Sequence, residues 1–499
     1  MVKPISEKEK YLILKRELSI DVLRGLAIIG MILSGTISRN PDLPAWLFHA
    51  QIGPPDFKFD PSLPGITWVD LVFPFFIFAM GMAFPYALSK IADKGVWQFL
   101  KKIVPRSFKL LLFAIMLGHL SPFHYPAELG WVAYFMGFLA FVGFFLAFSK
   151  FPHWKRHELK LNVLGYGLLI ALCVFRATAF NLPVSIHRND IIILVLANLA
   201  LFGALIWFFT RSNWYLRLGI MAIYFTLRLT NSIDDSWNKM LWDFSPFKLI
   251  ASSFPAVYNW LVSIGIDLNR TIFCNPEFLK YLMILIPGTI AGDLLFRAKP
   301  KTVSQDHEKW DSVKVFVPVL LLLTVALNLW GLLSRNIGVV WIGNIAISVT
   351  LIWFLKKGTL DRVKPLPQLI YWSIFWLMLG LVFEAYQGGI KKDHSTISYF
   401  FMTSGLAGFS IVFFKMSGYV FEANKLLGFI GKTGVNPIVG YVAAVYFVMP
   451  LLYFIQILPW MDGWHQDWPW AGVLRGMTIT GLMVGVTVFT VNKKYFWKT

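Results

Sequence analysis

Long apolar stretches constrain the fold of this chain more than any other feature. The 499 residues are 57% hydrophobic and 15% charged, whereas a soluble domain has about 25% charged residues. About 20 helical residues cross the hydrocarbon core of a bilayer, where every backbone polar group must be paired within the chain. The sequence therefore predicts an all-α, polytopic transmembrane helix bundle of about 14 spans, with a range of 11–14. The predicted spans are 18–38, 66–89, 103–120, 130–149, 161–179, 190–210, 214–230, 278–296, 314–333, 338–355, 368–387, 398–416, 435–456 and 471–491.

The distribution of Lys and Arg predicts the orientation of these spans. A net charge of +19 is typical of nucleic-acid-binding proteins, but positive residues of membrane proteins also collect in cytoplasmic loops. When the N-terminus is placed inside and the spans alternate, most of the 46 Lys and Arg residues fall in inner segments. This bias predicts a basic cytoplasmic N-terminal segment at 1–17 and a cytoplasmic tail at 493–499. It favours membrane lipids, and no nucleic acid, as partners.

Local signals narrow the class of membrane protein further. The N-terminus shows no short apolar core followed by a small-residue cleavage site, and no mitochondrial or lysosomal signal. We therefore expect a bacterial inner (plasma) membrane. The chain has only two cysteines and no zinc-type Cys/His spacing, Walker motif or HExxH sequence. These observations predict neither a metal site nor a disulfide framework.

A single transmembrane domain is predicted over 18–492, with two large outer segments. Segment 39–65 contains six prolines, a density that blocks a helix and predicts an ordered or semi-ordered loop. The other outer segment is 231–277. Within it, 247–267 is apolar but is interrupted by Pro255, which is typical of an interfacial or re-entrant segment.

Three charged or titratable residues near the first two spans could carry chemistry. Asp21 and Arg24 share one helix face, and charges inside a span usually face protein or water. They form either a buried ion pair that braces the bundle or part of a ligand site. Asp70 follows Thr67 at the start of the second span, where a capping side chain and an anion are both favoured.

His49 lies in the outer loop that precedes Asp70. Imidazole groups exchange protons near neutral pH, and a carboxylate commonly orients them in catalytic sites. Asp70 therefore either caps its helix only, or caps it and also orients His49. Without such a partner, His49 is an ordinary surface residue.

Further polar residues fall on one or the other side of the membrane by topology. Those on the outer side could line a carbohydrate site, although solvated loops explain them equally well; they are His124, Glu128, Arg228, Glu384, Asp393, His394 and His465. Those on the inner side form a basic edge, which a nucleotide phosphate site or the positive-inside bias would both produce; they are Lys101, Lys102, Arg106 and Lys109.

Several short blocks recur in one known family. They are Ser19, Asp21, Arg24 and Gly25; His49-Ala50; DLVFPF at 70–75 with Phe78 and Gly81; Arg106-Ser107-Phe108; GVNPIVGY at 434–441, which contains Asn436; and KKYFWK at 493–498. In these blocks the chain resembles the heparan-alpha-glucosaminide N-acetyltransferase family of transmembrane acyltransferases, as a bacterial relative. The matched blocks lie near both ends of the chain.

The resemblance implies an activity. Acetyl-CoA would donate its acetyl group from the cytosol, and an amine or hydroxyl of an amino sugar or glycan would accept it on the outer face. His49 corresponds to the family's active-site His, as base or acyl carrier, and Asp70 would orient it. Asp21 and Arg24 would brace the site. The family also implies a homodimer, for which the sequence itself carries no signal.

The remaining predicted contacts concern the two substrates. Arg106 and Lys102 would lie near the phosphates of CoA. The side chains predicted to bind the acceptor are those of Asn436, Ser34, Trp68, His124, Glu128, Glu384 and His394.

Departures from the family pattern keep other functions open. The loop between His49 and Asp70 is longer and richer in proline, Ser34 and Gly35 stand near the family's polar residue, and Glu128-Leu129 replaces an expected Gln-Arg pair. One alternative is a transporter or flippase for a sugar or lipid-linked sugar, because prolines interrupt several spans. Another alternative is a non-catalytic scaffold in envelope glycan assembly.

Overall fold

The computed structural model confirms an all-α, polytopic helix bundle. It describes residues 17–244, 249, 252–263, 272–273, 275–298, 312–357, 365–420, 423–464 and 468–497. Most of the N-terminal segment 1–17, parts of 231–277, His465 and the end of the tail lie outside these ranges. The described residues form no β-strand, apart from an isolated bridge between Ser149 and Trp497.

The helices of the first part of the chain follow the predicted apolar stretches closely. They are α1 (Leu18–Thr36), α2 (Trp68–Met82), α3 (Phe84–Ala92), α4 (Val96–Leu120), α5 (Gly130–Phe148), α6 (Glu158–Ala179), α7 (Ile191–Thr210), α8 (Trp214–Thr230), α9 (Trp237–Asp243), α10 (Pro255–Ser263) and α11 (Pro276–Leu279).

The second part of the chain is also helical, with several short pieces near its end. Its helices are α12 (Leu282–Arg297), α13 (Ser312–Leu333), α14 (Ile337–Lys356), α15 (Leu366–Val382), α16 (Ile397–Val420), α17 (Asn424–Val435), α18 (Pro437–Ala443), α19 (Met449–Phe454), α20 (Ile457–Trp464) and α21 (Ala471–Asn492). A π-helical turn at Ala444–Val448 joins α18 to α19.

Twelve helices of the described residues are long and apolar enough to cross a membrane. This number falls within the predicted range. Two predicted spans, 214–230 and 368–387, correspond to α8 and α15, which have only 17 residues each. Seventeen residues extend about 25 Å as a helix, at the lower limit for a span.

The chain divides into two compact units. The first unit comprises 1–89, 287–441 and 461–488, and the second comprises 90–286, 442–460 and 489–499. The single domain over 18–492 therefore stays a prediction. Each unit is described by itself below.

In the first unit, α16 is the central helix, because 89% of its apolar window is buried. It packs against α1, α2, α13 and α15, while α17 packs along α1. The outward faces of α13 and α14 expose Leu322, Ile342 and Val349, as expected where a bilayer replaces water. Two buried amides, Asn328 and Asn344, hydrogen-bond each other across this helix pair at 2.9 and 3.0 Å.

In the second unit, α5 packs against α6 and α19, and α4 packs against α7. The core between α4 and α5 is aromatic: Phe113 packs edge to face with Phe144 and Phe148, with ring centroids 5.1 and 5.0 Å apart. The segment predicted as interfacial or re-entrant, 247–267, contains the short helix α10, and none of the α10 side chains is buried.

Candidate functional site

The loop between α1 and α2 is anchored by its own small core. Ile37, Leu43, Leu47 and Phe48 are buried together, and Trp68 packs against them from the first turn of α2. A turn of 3-10 helix at Ala45–Leu47 immediately precedes Phe48 and His49. This core fixes the position of the segment that leads to His49.

Thr67 and Asp70 close the start of α2 as a capping box. Asp70 is fully buried, and its Oδ2 atom accepts hydrogen bonds from the backbone N–H groups of Thr67 (2.9 Å) and Ala50 (3.3 Å). The Thr67 hydroxyl donates to the carbonyl of Phe48 at 2.7 Å. Because these contacts hold both the helix end and the loop, Asp70 has a structural role whatever else it does.

Asp70 also faces His49. Its Oδ1 atom lies 3.5 Å from His49 Nε2, while the Asp393 Oδ2 atom lies 2.9 Å from the same nitrogen. The sequence predicted the encounter of His49 with Asp70, but it gave Asp393 no role beyond membership of the outer polar group. Asp393 is 344 positions away from His49 in the chain, and no local pattern connects the two.

The hydrogen-bond partners of His49 determine which of its ring nitrogens carries the proton. The backbone N–H of Gln51 donates to His49 Nδ1 at 3.0 Å, so Nδ1 must present a lone pair. A neutral imidazole carries a single N–H, and that proton therefore lies on Nε2, pointing at the two carboxylates. His49 in this arrangement is a hydrogen-bond donor at Nε2, and it becomes a base or a nucleophile there only after this proton has moved to a carboxylate.

An ammonium group adjoins the carboxylates at His49. Lys392 Nζ lies 3.8 Å from Asp70 Oδ1. Asp70 Oδ1 and Gln51 Oε1 are both buried and have no hydrogen-bond partner among the described residues. Buried acceptors of this kind favour an additional donor in the site.

The turn that carries Lys392 and Asp393 is held by Glu384. This buried carboxylate pairs with Arg335 Nη1 at 2.6 Å and accepts a hydrogen bond from the backbone N–H of Ile390 at 3.4 Å. The backbone N–H of Gly65 donates to the carbonyl of Ile390 at 2.8 Å. Glu384, predicted to bind substrate, therefore positions this turn in the structure. The predicted acceptor residue His394 follows Asp393 and is exposed.

Arg24 braces the bundle, as one of the two alternatives for Asp21 and Arg24 predicted. Its Nη1 lies 3.4 Å from Asp21 Oδ1 and donates to the carbonyl of Gly434 at 3.2 Å, and its Nη2 donates to the carbonyl of Ala79 at 3.5 Å. The guanidinium thus connects α1, α2 and α17. Next to it, α1 and α17 approach so closely that a Cβ on Gly434 would overlap the carbonyl of Asp21.

The other predicted residues of this unit occupy different environments. Asn436 is buried at the C-cap of α17, immediately before Pro437 starts a new helix. Ser34 is half-buried, and its hydroxyl donates to the carbonyl of Met31 at 2.9 Å. Trp68 is half-buried in the small core of the loop.

Four predicted residues belong to the second unit. His124 and Glu128 are exposed between α4 and α5, and the Nδ1 atom of His124 hydrogen-bonds the carbonyl of Gly118 at 2.7 Å. Lys102 and Arg106 are exposed on one face of α4. A separate open cavity of about 720 Å³ is lined by three further lysines at 150, 155 and 494, together with Glu158.

The fold and the site define a polytopic membrane protein with a carboxylate–histidine cluster beside a capped helix end. Within the part of the chain that the structure describes, no group of three or more His, Cys, Asp or Glu side chains is arranged to hold a metal ion. The chain belongs to the family described as a domain of unknown function, DUF5009, which it matches over residues 16–265. No curated protein matches the chain.

Proposed function

We propose that this protein is a transmembrane acyltransferase that moves an acetyl group from cytosolic acetyl-CoA to an amino sugar or glycan on the outer face of a bacterial inner membrane. The observation that carries the proposal is the clamped imidazole of His49, with a backbone N–H on Nδ1 and two carboxylates at Nε2. The resemblance of the blocks around His49 and Asp70 to the transmembrane acyltransferases supports the same reading. Both termini would lie in the cytoplasm.

The cluster suits an amine acceptor. An ammonium group must lose a proton before its nitrogen can attack a thioester, and the carboxylates of Asp70 and Asp393 attract such a cation. During transfer the N–C bond forms, the C–S bond of acetyl-CoA breaks, and the thiolate of CoA takes up a proton. The proton released by the amine passes to a carboxylate of the cluster.

His49 has two available roles in this scheme. In direct transfer, its Nε2–H keeps Asp393 in place while the carboxylate accepts the proton of the amine. In a two-step transfer, the Nε2 proton first moves to Asp393, Nε2 attacks the acetyl carbonyl with loss of CoA, and the amine then displaces His49. Detection of an acetylated His49 peptide by mass spectrometry after reaction with acetyl-CoA alone would identify the second route.

The experiment is a coupled assay on the purified full chain in proteoliposomes. With acetyl-CoA and glucosamine, we expect release of free CoA thiol together with N-acetylglucosamine. His49→Ala and Asp393→Asn should lower the rate about a hundredfold or more, as expected for loss of a proton-transfer group. His153→Ala, an exposed His far along the chain, is the matched control and should keep full activity. Unchanged activity in His49→Ala would remove His49 from the mechanism.

A second candidate is a transporter or flippase for a sugar or lipid-linked sugar. The breaks between α2 and α3 and between α17 and α18 favour it, because transporters bind substrates where spans are discontinuous. Uptake of glucosamine by sealed proteoliposomes without CoA release would support this candidate. CoA release that depends on His49 would reject it.

A further inference from the structure

Arg176, in the last turn of α6, is a fully buried arginine in the second unit. Its Nη1 donates to the carbonyl of Leu182 at 2.9 Å, which ties the loop after α6 back to the helix end. Burying a charge is costly unless hydrogen bonds and an opposite charge compensate it. The environment of the rest of the guanidinium therefore indicates what compensates Arg176.

The other edge of this guanidinium, formed by Nε and Nη2, is called its open edge because its donors are unpaired in the described part of the chain. Nε and Nη2 of Arg176 are both buried and have no hydrogen-bond partner among the described residues. Their N–H groups point in nearly the same direction, and this edge is the one that holds a carboxylate or phosphate by two parallel hydrogen bonds.

Arg217, a second fully buried arginine among the described residues of this unit, shows the contacts that satisfy this edge. Its Nε donates to the hydroxyl of Thr210 at 3.0 Å, and its Nη2 donates to the carbonyl of Thr210 at 3.3 Å. The chain therefore offers an internal reference for a buried guanidinium whose role is structural.

Tyr125 adds a second unsatisfied donor beside Arg176. The guanidinium carbon of Arg176 lies 5.8 Å from the centroid of the Tyr125 ring, and the buried Tyr125 hydroxyl has no hydrogen-bond partner among the described residues. Burial raises the pKa of Tyr125 to about 12, so the hydroxyl keeps its proton at neutral pH. Phe180 packs edge to face on the ring, with centroids 5.9 Å apart.

The surroundings of Arg176 add further positive charge. Arg188 interacts unfavourably with Arg176, and Arg188 and His124 do so with His119. The His119 ring is satisfied on both sides, by the carbonyl of Ile115 at 2.8 Å and the backbone N–H of Ser185 at 3.0 Å. Within the described ranges, no carboxylate forms an ion pair with Arg176.

We propose that the open edge of Arg176 and the hydroxyl of Tyr125 form a binding site for a small oxyanion, presented as a carboxylate, sulfate or phosphate group. Such a group accepts two hydrogen bonds from Nε and Nη2 and supplies the charge that this cluster lacks. Water would satisfy the donors without balancing the charge. The proposal does not depend on acyl transfer, because none of its residues belongs to the His49 cluster.

The test is thermal unfolding of the purified full chain in detergent, titrated with acetate, inorganic phosphate or sulfate at constant ionic strength against chloride. A ligand of the native state raises the unfolding midpoint in a saturable way. Arg176→Lys keeps the charge but loses the two parallel N–H donors, and we expect it to weaken anion binding about tenfold or more. Tyr125→Phe removes one hydroxyl with little change of shape, and should weaken binding about tenfold.

Arg217→Lys is the matched control and should bind the anion as the wild type does. It also corrects for the non-specific stabilisation that sulfate and phosphate give any protein. The response to acetate, to phosphate and to short-chain phosphatidic acid distinguishes a soluble carboxylate, a free phosphate and a lipid phosphate. A saturable response that survives in both Arg176→Lys and Tyr125→Phe, or no saturable response to any anion in the wild type, would overturn the proposal and leave water in the site.

Discussion

Substitution of Asp70 separates its structural role from its role beside His49. In Asp70→Ala, the buried backbone N–H of Thr67 and the half-buried backbone N–H of Ala50 lose their acceptor. Each unsatisfied buried donor costs about 1–3 kcal/mol, and loss of an N-cap partner alone costs about 0.5–2 kcal/mol. We therefore expect the free energy of unfolding to fall by roughly 3–5 kcal/mol.

Asp70→Asn is the more informative variant. The amide oxygen can replace Oδ2 as acceptor for Thr67 and Ala50, but the amide NH2 then faces the Nε2–H of His49, donor against donor. The reverse orientation turns the NH2 toward two backbone N–H groups. In either orientation the amide satisfies only the backbone N–H groups or only His49. We therefore expect the free energy of unfolding to fall by about 1–3 kcal/mol and the geometry of the His49 cluster to be disturbed.

The assay is reversible unfolding in mixed micelles, followed by tryptophan fluorescence, beside the CoA-release assay. Asp60→Asn is the control: Asp60 lies in the same loop and accepts a hydrogen bond from the backbone of Ser62 at 2.8 Å, but it is exposed and should leave the unfolding midpoint nearly unchanged. If Asp70→Ala unfolds at the same denaturant concentration as the wild type, the capping role derived from the geometry is wrong.

Three further substitutions test the packing of the first unit. Gly434→Ala should destabilise it by about 2 kcal/mol or more, because the new Cβ overlaps the carbonyl of Asp21; an unfolding midpoint equal to that of the wild type would show that α1 and α17 separate easily. Asn344→Leu should cost about 1–3 kcal/mol by leaving Asn328 unsatisfied, whereas the double Leu variant should recover part of the loss; additive losses in a double-mutant cycle would contradict the pairing. Tyr399→Phe should cost about 1 kcal/mol, since its hydroxyl donates to a backbone carbonyl in the first turn of α2 at 2.7 Å, and stability unchanged by this variant would mean that water replaces the hydroxyl.

Local sequence patterns predicted the parts of this structure that depend on neighbours in the chain. Hydrophobic runs of bilayer length locate the spans because a helix pairs every backbone polar group within a single segment, as the lipid core requires. Thr67 followed by Asp70 predicted the helix start because a capping box needs only four consecutive residues. The same signals could not exclude α8 and α15 as full spans, since composition does not reveal where a helix ends.

Contacts between distant segments could not be predicted in this way. Asp393 reaches His49 only because α16 packs against α2, and Arg24 finds the carbonyl of Gly434 only because α17 packs along α1. The open edge of Arg176 had no local signal, because the sequence around an arginine does not show which groups its guanidinium meets in the fold.

Glu384 illustrates that the predicted side of the membrane does not reveal which groups a side chain contacts. The sequence predicted that Glu384, Asp393 and His394 lie on the same, outer side of the membrane, and a carboxylate there suggested contact with a sugar. In the structure its Oε1 atom is taken by Arg335 and by the backbone of Ile390, which leaves it to hold the turn that presents Asp393 to His49. Glu384 can therefore influence a reaction at His49 only through the placement of Asp393, so its substitution should disturb the geometry at Nε2 of His49 and not a direct contact with the acceptor.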